Sequence, residues 1–432
     1  MEESLRRALS TPEVLFLGIN GVVGAGIFLL PGTVAKDAGN HAVWAYLVAG
    51  AIIILIGLAF AEASSMVSNT GGPYVYTSKA MGRTVGFTVG WMSWVTFVTG
   101  WAALSVGLAG YLIVLIPSLA PFKAVIILGI IGLLCLLNSL GIRRGSGAVA
   151  FFTVAKLLPL ALLILYGLFS LSTSTSHPYM GGTPTHFGQA VLVLIFAYGG
   201  FEMASIPAGE MTNPKRSAAI GVVGTLVGTT IFYALIQWAT QRLDPSLASS
   251  ATPVGAAGAM MFAGGAIVMT IGATISILGT QSGVALSAPR VLYALSLGDG
   301  LPPVFSKVWR RFQTPVVAIW VTGVLASLLA LTGTFTHLIL LNVAARLYEY
   351  GMVCIAVIIL RLRDPKSTRA FRLPLGITIP LVAAILCLAL LTRESGQQIV
   401  AAAAALVIGV LIFAIDKVTR RRPDTQNMAN QK

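Results

Sequence analysis

Apolar residues run through this chain in long blocks separated by short polar turns, at about 13–37, 42–67, 84–115, 123–140, 147–170, 185–211, 217–240, 264–293, 315–332, 335–361, 375–392 and 397–415. About 20 apolar residues rising 1.5 Å each cross the roughly 30 Å of bilayer hydrocarbon. The pattern therefore predicts an all-α, polytopic membrane protein with twelve transmembrane helices, those starting at 84, 264 and 335 being long enough to tilt or protrude. The opening MEESLRRALSTPEV leads straight into a full-length span without the short apolar core and small-residue cleavage site of a signal peptide, so the first helix is expected to be retained. Composition fits: 56% of residues are hydrophobic and only 10% charged, against about 25% charged in soluble domains. Cys135, Cys354 and Cys387 all lie in apolar blocks, which leaves no disulfide framework or Cys-rich metal site and makes them packing residues.

Charge sets the orientation, because short translocated loops avoid Lys and Arg. With the N-terminus inside, 22 of the 28 basic residues fall in inner segments, among them Arg6, Arg7, Arg143, Arg144, Lys366, Arg421, Arg422 and Lys432. Four, Lys36, Lys123, Arg242 and Arg393, fall outside, and Lys156 and Arg346 fall within apolar blocks. Both termini are predicted to be cytoplasmic. The excess of base over acid is then topology rather than nucleic-acid binding, and no soluble reading domain remains. His41, His177, His186 and His337 all land in or beside outer loops, and the polar segment 170–186 reads as the outer connection between two halves.

Many of the 46 glycines need no special account, since small residues let helices approach closely in lipid; Gly82, Gly86 and Gly90 read as such a packing face. Two clusters differ. GINGVVGAGIFLLPG in the first block carries Gly18, Gly21, Gly24 and Gly26, and FAYGGFEMASIPAGE in the sixth carries Gly199, Gly200 and Pro207. Backbone leaves the helix inside a bilayer only where it lines a cavity or is buried in protein. Two interruptions five spans apart predict an inverted repeat with a binding site between its halves. The organisation that follows is a cytoplasmic N-terminus (1–12), a first repeat of helices 1–5 (13–170), an outer loop (171–184), a second repeat of helices 6–10 (185–361), two further helices (375–415) and a cytoplasmic tail (416–432).

GVVGAGIF at 21–28, AEASSMVSNTGGPYVYTSKAMG at 61–82, LNSLGIRRGS at 137–146, FAYGGFE at 196–202, GEMTNPKR at 209–216, PRVLYALSLGDGLPPVFSKV at 289–308 and RAFRLPLG at 369–376 together resemble the amino acid–polyamine–organocation transporter superfamily, in particular its bacterial amino acid permeases. The resemblance covers essentially the whole chain. It implies a leucine-transporter-like 5+5 inverted repeat plus two helices in a bacterial inner membrane, and a zwitterionic amino acid bound near the midplane. The substrate carboxylate would meet free N–H groups of Gly24, Ala25 and Gly26, and its ammonium the carbonyls of Val22, Val23, Phe196, Ala197 and Gly199. By the same matching Phe196 resembles an outer gate, while Trp101, Leu104 and Phe201 are either pocket or packing side chains. In sodium-independent relatives a lysine of the fifth span stands where a sodium ion otherwise ties the first span to the eighth. Lys156 matches it, with Gly21 and Ser276 as expected partners.

An ammonium in mid-membrane costs about 2.5–3.5 kcal/mol on insertion scales, so Lys156 needs a partner or a task. Desolvation favours the neutral amine and carbonyl partners the ammonium, which makes alternation between them a means of proton coupling. A purely structural brace is the other reading. Glu202, at the second break, is either a second proton carrier or gate link, or a cap on the half-helix beyond the break. Glu62 and Glu210 lie nearer the inner ends, where basic partners suit a cytoplasmic gate. Arg346 and Glu349, three residues apart, depart from the family pattern and are expected to neutralise one another, Arg346 alternatively serving substrate choice or an outer gate.

The expected function is secondary active import of neutral amino acids by alternating access, sodium-independent and proton-coupled, with protons and the bilayer as the other partners and no cofactor or metal. An obligate amino acid exchanger and a cationic amino acid or polyamine transporter are the alternatives. A channel would need a continuous polar pore, an enzyme a Ser–His, Cys–His or HExxH constellation, and an ATP-driven pump a GxxxxGK[ST] loop; none of these patterns occurs in the sequence.

Overall fold

The computed structural model describes residues 10–66, 72–140, 146–170, 179, 181, 185–204, 211–298, 300–309, 311–312, 314–365, 369 and 371–420. Arg6, Arg7, Arg143, Arg144, Lys366, Arg421, Arg422, Lys432, His177, Pro207 and Glu210 lie outside the described residues. The α-helices are α1 (Thr11–Val22), α2 (Ala25–Ala38), α3 (Ala42–Met66), α4 (Pro73–Met81), α5 (Arg83–Leu115), α6 (Lys123–Ser139), α7 (Ser146–Phe169), α8 (Phe187–Ala197), α9 (Pro214–Leu243), α10 (Pro253–Ala259), α11 (Gly265–Leu297), α12 (Val316–Thr332), α13 (Phe335–Arg363), α14 (Thr378–Leu391) and α15 (Gly396–Arg420). Among the described residues nine helical segments are long and apolar enough to cross a membrane, and α12 and α14 are shorter apolar helices.

Helices on the periphery expose stripes of large apolar side chains at helical spacing: Leu158, Leu162 and Leu165 on α7, Leu381, Ile385 and Leu388 on α14, and Val400, Val407 and Leu411 on α15. In water such stripes would be aggregation surfaces; facing lipid they cost nothing, and the chain is a multi-pass membrane protein. α5 is the central post, buried along most of its length and packed against α11 and α13. α3 lies along α9, where Gly50 admits Thr230 and Gly57 admits Leu226.

Two features depart from the sequence expectations. The short helices α4 and α10 were hidden because one carries polar residues and the other, PVGAAGA, is made mostly of small ones. Gly82 is not part of a packing face: at φ +89° it is the turn between α4 and α5, while Gly86 and Gly90 do pack, against Ser78 and against Tyr74 and Leu295. The sixth block is interrupted at the glycine pair the sequence singles out, since α8 ends at Ala197 and a 3-10 turn occupies Phe201–Ala204. The three cysteines are buried and unbridged, and His41, His186 and His337 are exposed.

Candidate functional site

α1 stops where its ladder runs out. The Val23 N–H still reaches the Ile19 carbonyl at 2.9 Å, but Val23 (φ −74°, ψ 90°) and Gly24 (φ −125°, ψ −145°) are extended, and the helix restarts as α2 at Ala25. Such a break leaves unpaired carbonyls on one side and unpaired N–H groups on the other, and each buried one must be accounted for. The carbonyls find side chains. Asn20 O accepts from Lys156 Nζ (3.1 Å), Val22 O from the Tyr233 hydroxyl (2.9 Å), and Val23 O from Lys156 Nζ (2.8 Å), Ser276 Oγ (3.1 Å) and Thr280 Oγ1 (3.4 Å). The N–H groups of Gly24, Ala25 and Gly26 have no acceptor among the described residues. They form the positive end of α2, a place suited to a carboxylate.

The second break closes α8. Tyr198 and Gly199 donate back to Leu194 and Phe196 at 3.1 Å, and Gly200 then turns at φ +106°, a conformation that side chains with a Cβ resist. Glu202 folds back over this turn, its Oε2 accepting from the Gly200 N–H at 3.0 Å.

The two breaks lie against each other. A Cβ on Gly21 would stand 2.6 Å from Gly200 O, one on Gly200 would strike Gly21 O, and one on Gly26 would come within 2.8 Å of Ala197 Cα. Glycine at these positions is what allows backbone to approach backbone. Tyr233 of α9 ties the two together, its hydroxyl lying 2.9 Å from Val22 O and 3.3 Å from Ala197 O. Beside the junction is a small, partly open cavity walled by Gly21, Val22, Gly24, Ala25, Gly26, Thr96, Phe97, Gly100, Leu104, Phe196, Ala197, Gly199, Gly200, Glu202, Met203, Thr280, Val284 and Arg346.

Lys156 is fully buried behind the first break. Besides its two carbonyls it reaches Thr280 Oγ1 at 3.4 Å, and no carboxylate pairs with it among the described residues. Its expected partners need correction. One turn of helix points the carbonyls of Asn20 and Val23 to the same side, toward α7 and α11, whereas Gly21 faces Gly200; the hydroxyl it meets is that of Thr280, and Ser276 shares Val23 O instead.

The expected Arg346–Glu349 pair is also corrected. Arg346 Nη1 pairs with Glu202 Oε1 at 2.8 Å and reaches the Tyr350 hydroxyl at 2.9 Å, while Nε donates to Asn342 Oδ1 at 3.2 Å. The guanidinium reaches across to the second break and lies in the space that a Gly199 side chain would fill. Glu349 is buried, and its Oε1 has no hydrogen-bond partner among the described residues. At the far end of α3, Glu62 accepts from Arg361 (2.6 and 2.5 Å), Arg369 (2.8 Å) and the Leu373 N–H (3.0 Å).

Of the binding residues expected from sequence, Val22, Gly24, Ala25, Gly26, Phe196, Ala197 and Gly199 line the cavity, as does Leu104. Phe196 meets Phe335 edge-on at 6.0 Å. Three stand elsewhere: Val23 turns its carbonyl to Lys156, Phe201 packs between Phe60 and Tyr350 with centroids 5.2 Å from each, and Trp101 is enclosed in the core. Val22 O, Ala197 O and Phe196 O already accept hydrogen bonds, which leaves Gly199 O as the carbonyl of the expected set with no donor among the described residues. Thr96, Phe97, Thr280 and Val284 were missed, because a wall residue on an unbroken helix carries no local mark in sequence.

The chain is 27% identical over 440 residues to the methylthioribose transporter of Bacillus subtilis, spanning 95% of this chain and 93% of the relative. It is 28% identical over 439 residues to the branched-chain amino acid permease BcaP of the same organism, again 95% and 93%. It is 29% identical over 400 residues to the serine/threonine exchanger SteT of B. subtilis, spanning 88% and 90%. These relatives are transporters, not enzymes, and the family model for amino acid permeases matches residues 9–414. A match over nearly the whole length, with both helix breaks inside it, makes this chain a member of the amino acid permease family.

Proposed function

We propose that this protein imports a neutral amino acid across a bacterial plasma membrane by alternating access, independently of sodium and coupled to protons, with both termini cytoplasmic. The observation that carries the reading is the meeting of the two breaks at a cavity edged by the unpaired N–H groups of Gly24, Ala25 and Gly26. Those donors would take the substrate carboxylate, Gly199 O its ammonium, and Phe196 would close over it. Twelve spans arise when α1 with α2, and α8 with its 3-10 turn, each count as one broken span. The inverted 5+5 repeat is supported by matching elements: the short helices α4 and α10 both start at a proline, the following α5 and α11 are each 33 residues, and the next helices, α6 and α12, are each 17.

Lys156 is the coupling group in this reading. Its ammonium links α1, α7 and α11 through carbonyl and hydroxyl oxygens, so opening the junction would strip those acceptors and release the proton. Uptake into proteoliposomes should rise with an inward proton gradient and ignore sodium. In Lys156→Ala the gradient dependence should vanish; gradient-driven uptake at the wild-type level in this variant sinks the coupling role. A second reading, obligate exchange with Lys156 as a fixed brace, is favoured by the lack of a carboxylate beside it among the described residues. Counterflow separates the two, since an exchanger moves label only with substrate on the far side.

A further inference from the structure

We propose that Arg346 selects the substrate side chain, and that the substrate is a neutral amino acid bearing a hydroxyl or carboxamide group; this rests on the amino acid site proposed above. Arg346 and Glu202 are the two charged residues of the cavity wall among the described residues. Arg346 is 7% exposed, and its guanidinium is held on two edges: Nη1 by Glu202 and Tyr350, Nε by Asn342. The holders are themselves held. Asn342 donates to Thr96 O (2.5 Å) and Thr99 Oγ1 (3.3 Å), and Tyr350 donates to Glu202 Oε2 (3.1 Å). Nη2 has no hydrogen-bond partner among the described residues. A rigid, nearly buried fork thus keeps one donor in reserve at the wall of the binding cavity.

The ion pair decides what that donor accepts. Arg346 and Glu202 cancel in charge, and both oxygens of Glu202 already accept hydrogen bonds. A cationic side chain would meet the guanidinium, and the carboxylate that could offset its charge is already engaged by Arg346, Tyr350 and the Gly200 N–H. An anionic one would place a second carboxylate beside Glu202. An apolar one would seal Nη2 away from water without a partner, which costs about 1–3 kcal/mol. A neutral oxygen, hydroxyl or amide, satisfies Nη2 without disturbing the pair. Sites built to hydrogen-bond a substrate group discriminate against isosteres that lack it far better than apolar pockets discriminate by size. Gly199 belongs to this device, because any Cβ there would take the guanidinium's place.

The test uses near-isosteric pairs on the purified full-length protein, with affinities from ligand-induced thermal shifts. Wild type should bind L-threonine at least about tenfold more tightly than L-valine, and L-asparagine likewise over L-leucine, a ratio of the size one unsatisfied donor produces. In Arg346→Met combined with Glu202→Gln, which removes the two charges together, both ratios should fall toward one. Arg346→Lys should also lower them, because an ammonium lacks the planar fork that holds three partners and keeps a donor free. Equal wild-type affinity within each pair overturns the proposal, as does tightest binding of L-glutamate or L-lysine, or ratios that persist in the variants. Should the double variant not fold, the wild-type ratios and Arg346→Lys decide. No shift with any of the twenty amino acids would instead remove the amino acid site itself, and this proposal with it.

Discussion

Single residues carry two separable kinds of information here. Gly200 is required twice, by φ +106° and by the Gly21 backbone against it. Gly200→Ala should therefore cost about 1–3 kcal/mol of strain and abolish substrate-induced stabilisation. A thermal-shift response equal to wild type in that variant would show that the breaks need not touch. Lys156 was conspicuous in sequence because an ammonium amid apolar residues is anomalous wherever it lands, but which carbonyls it takes depends on the rotation of α1 against α7. Glu394, in the turn between α14 and α15, is buried, and burial pushes its carboxyl up to about 7. A carboxyl raised in the folded state holds a proton that the unfolded chain gives up, so folded stability falls as pH rises from about 4.5 to about 7 and stays lowered above. Glu394→Gln should raise the melting temperature at pH 8 and leave it unchanged at pH 4. An equal effect at both values excludes this origin.

Elements were read from sequence according to how sharply their pattern contrasts with its surroundings. Long apolar helices such as α5 and α11 stood out, whereas α4 and α10 did not, because neither short helix is apolar enough to mark itself. The link between α13 and α14 shows what a helix list omits. It is strapped to the end of α3 through Glu62, which accepts from Arg361, Arg369 and the Leu373 N–H, while Ser65 donates to Phe371 O at 2.9 Å. Glu62→Gln leaves two buried guanidinium groups without their carboxylate, a change that costs about 3–5 kcal/mol for a buried pair. The melting temperature should drop, and limited proteolysis should cut first between α13 and α14. Unchanged cleavage would mean that the strap is not what orders this link.

For the whole molecule, the skewed placement of Lys and Arg predicts which ends of the helices face the cytoplasm. All three native cysteines are buried, so introduced cysteines can be read against a silent background. Ser395→Cys, in the exposed turn before α15, should react with a membrane-impermeant maleimide on intact cells, and Lys307→Cys, between α11 and α12, only after permeabilisation. The reverse pattern would invert the topology. Sequence by itself determined that this chain lives in a bilayer, where its long apolar helices lie, and that two of them break, because hydropathy, charge placement and glycine are local properties that lipid and backbone sterics read directly. The tertiary structure alone decided that the breaks touch, that Tyr233 joins them, that Lys156 takes Asn20 and Val23, and that Arg346 passes over Glu349 for Glu202. Residues 144 positions apart are brought together only by packing, which depends on the rotation of whole helices about their axes and leaves no trace in the order of residues along any one of them.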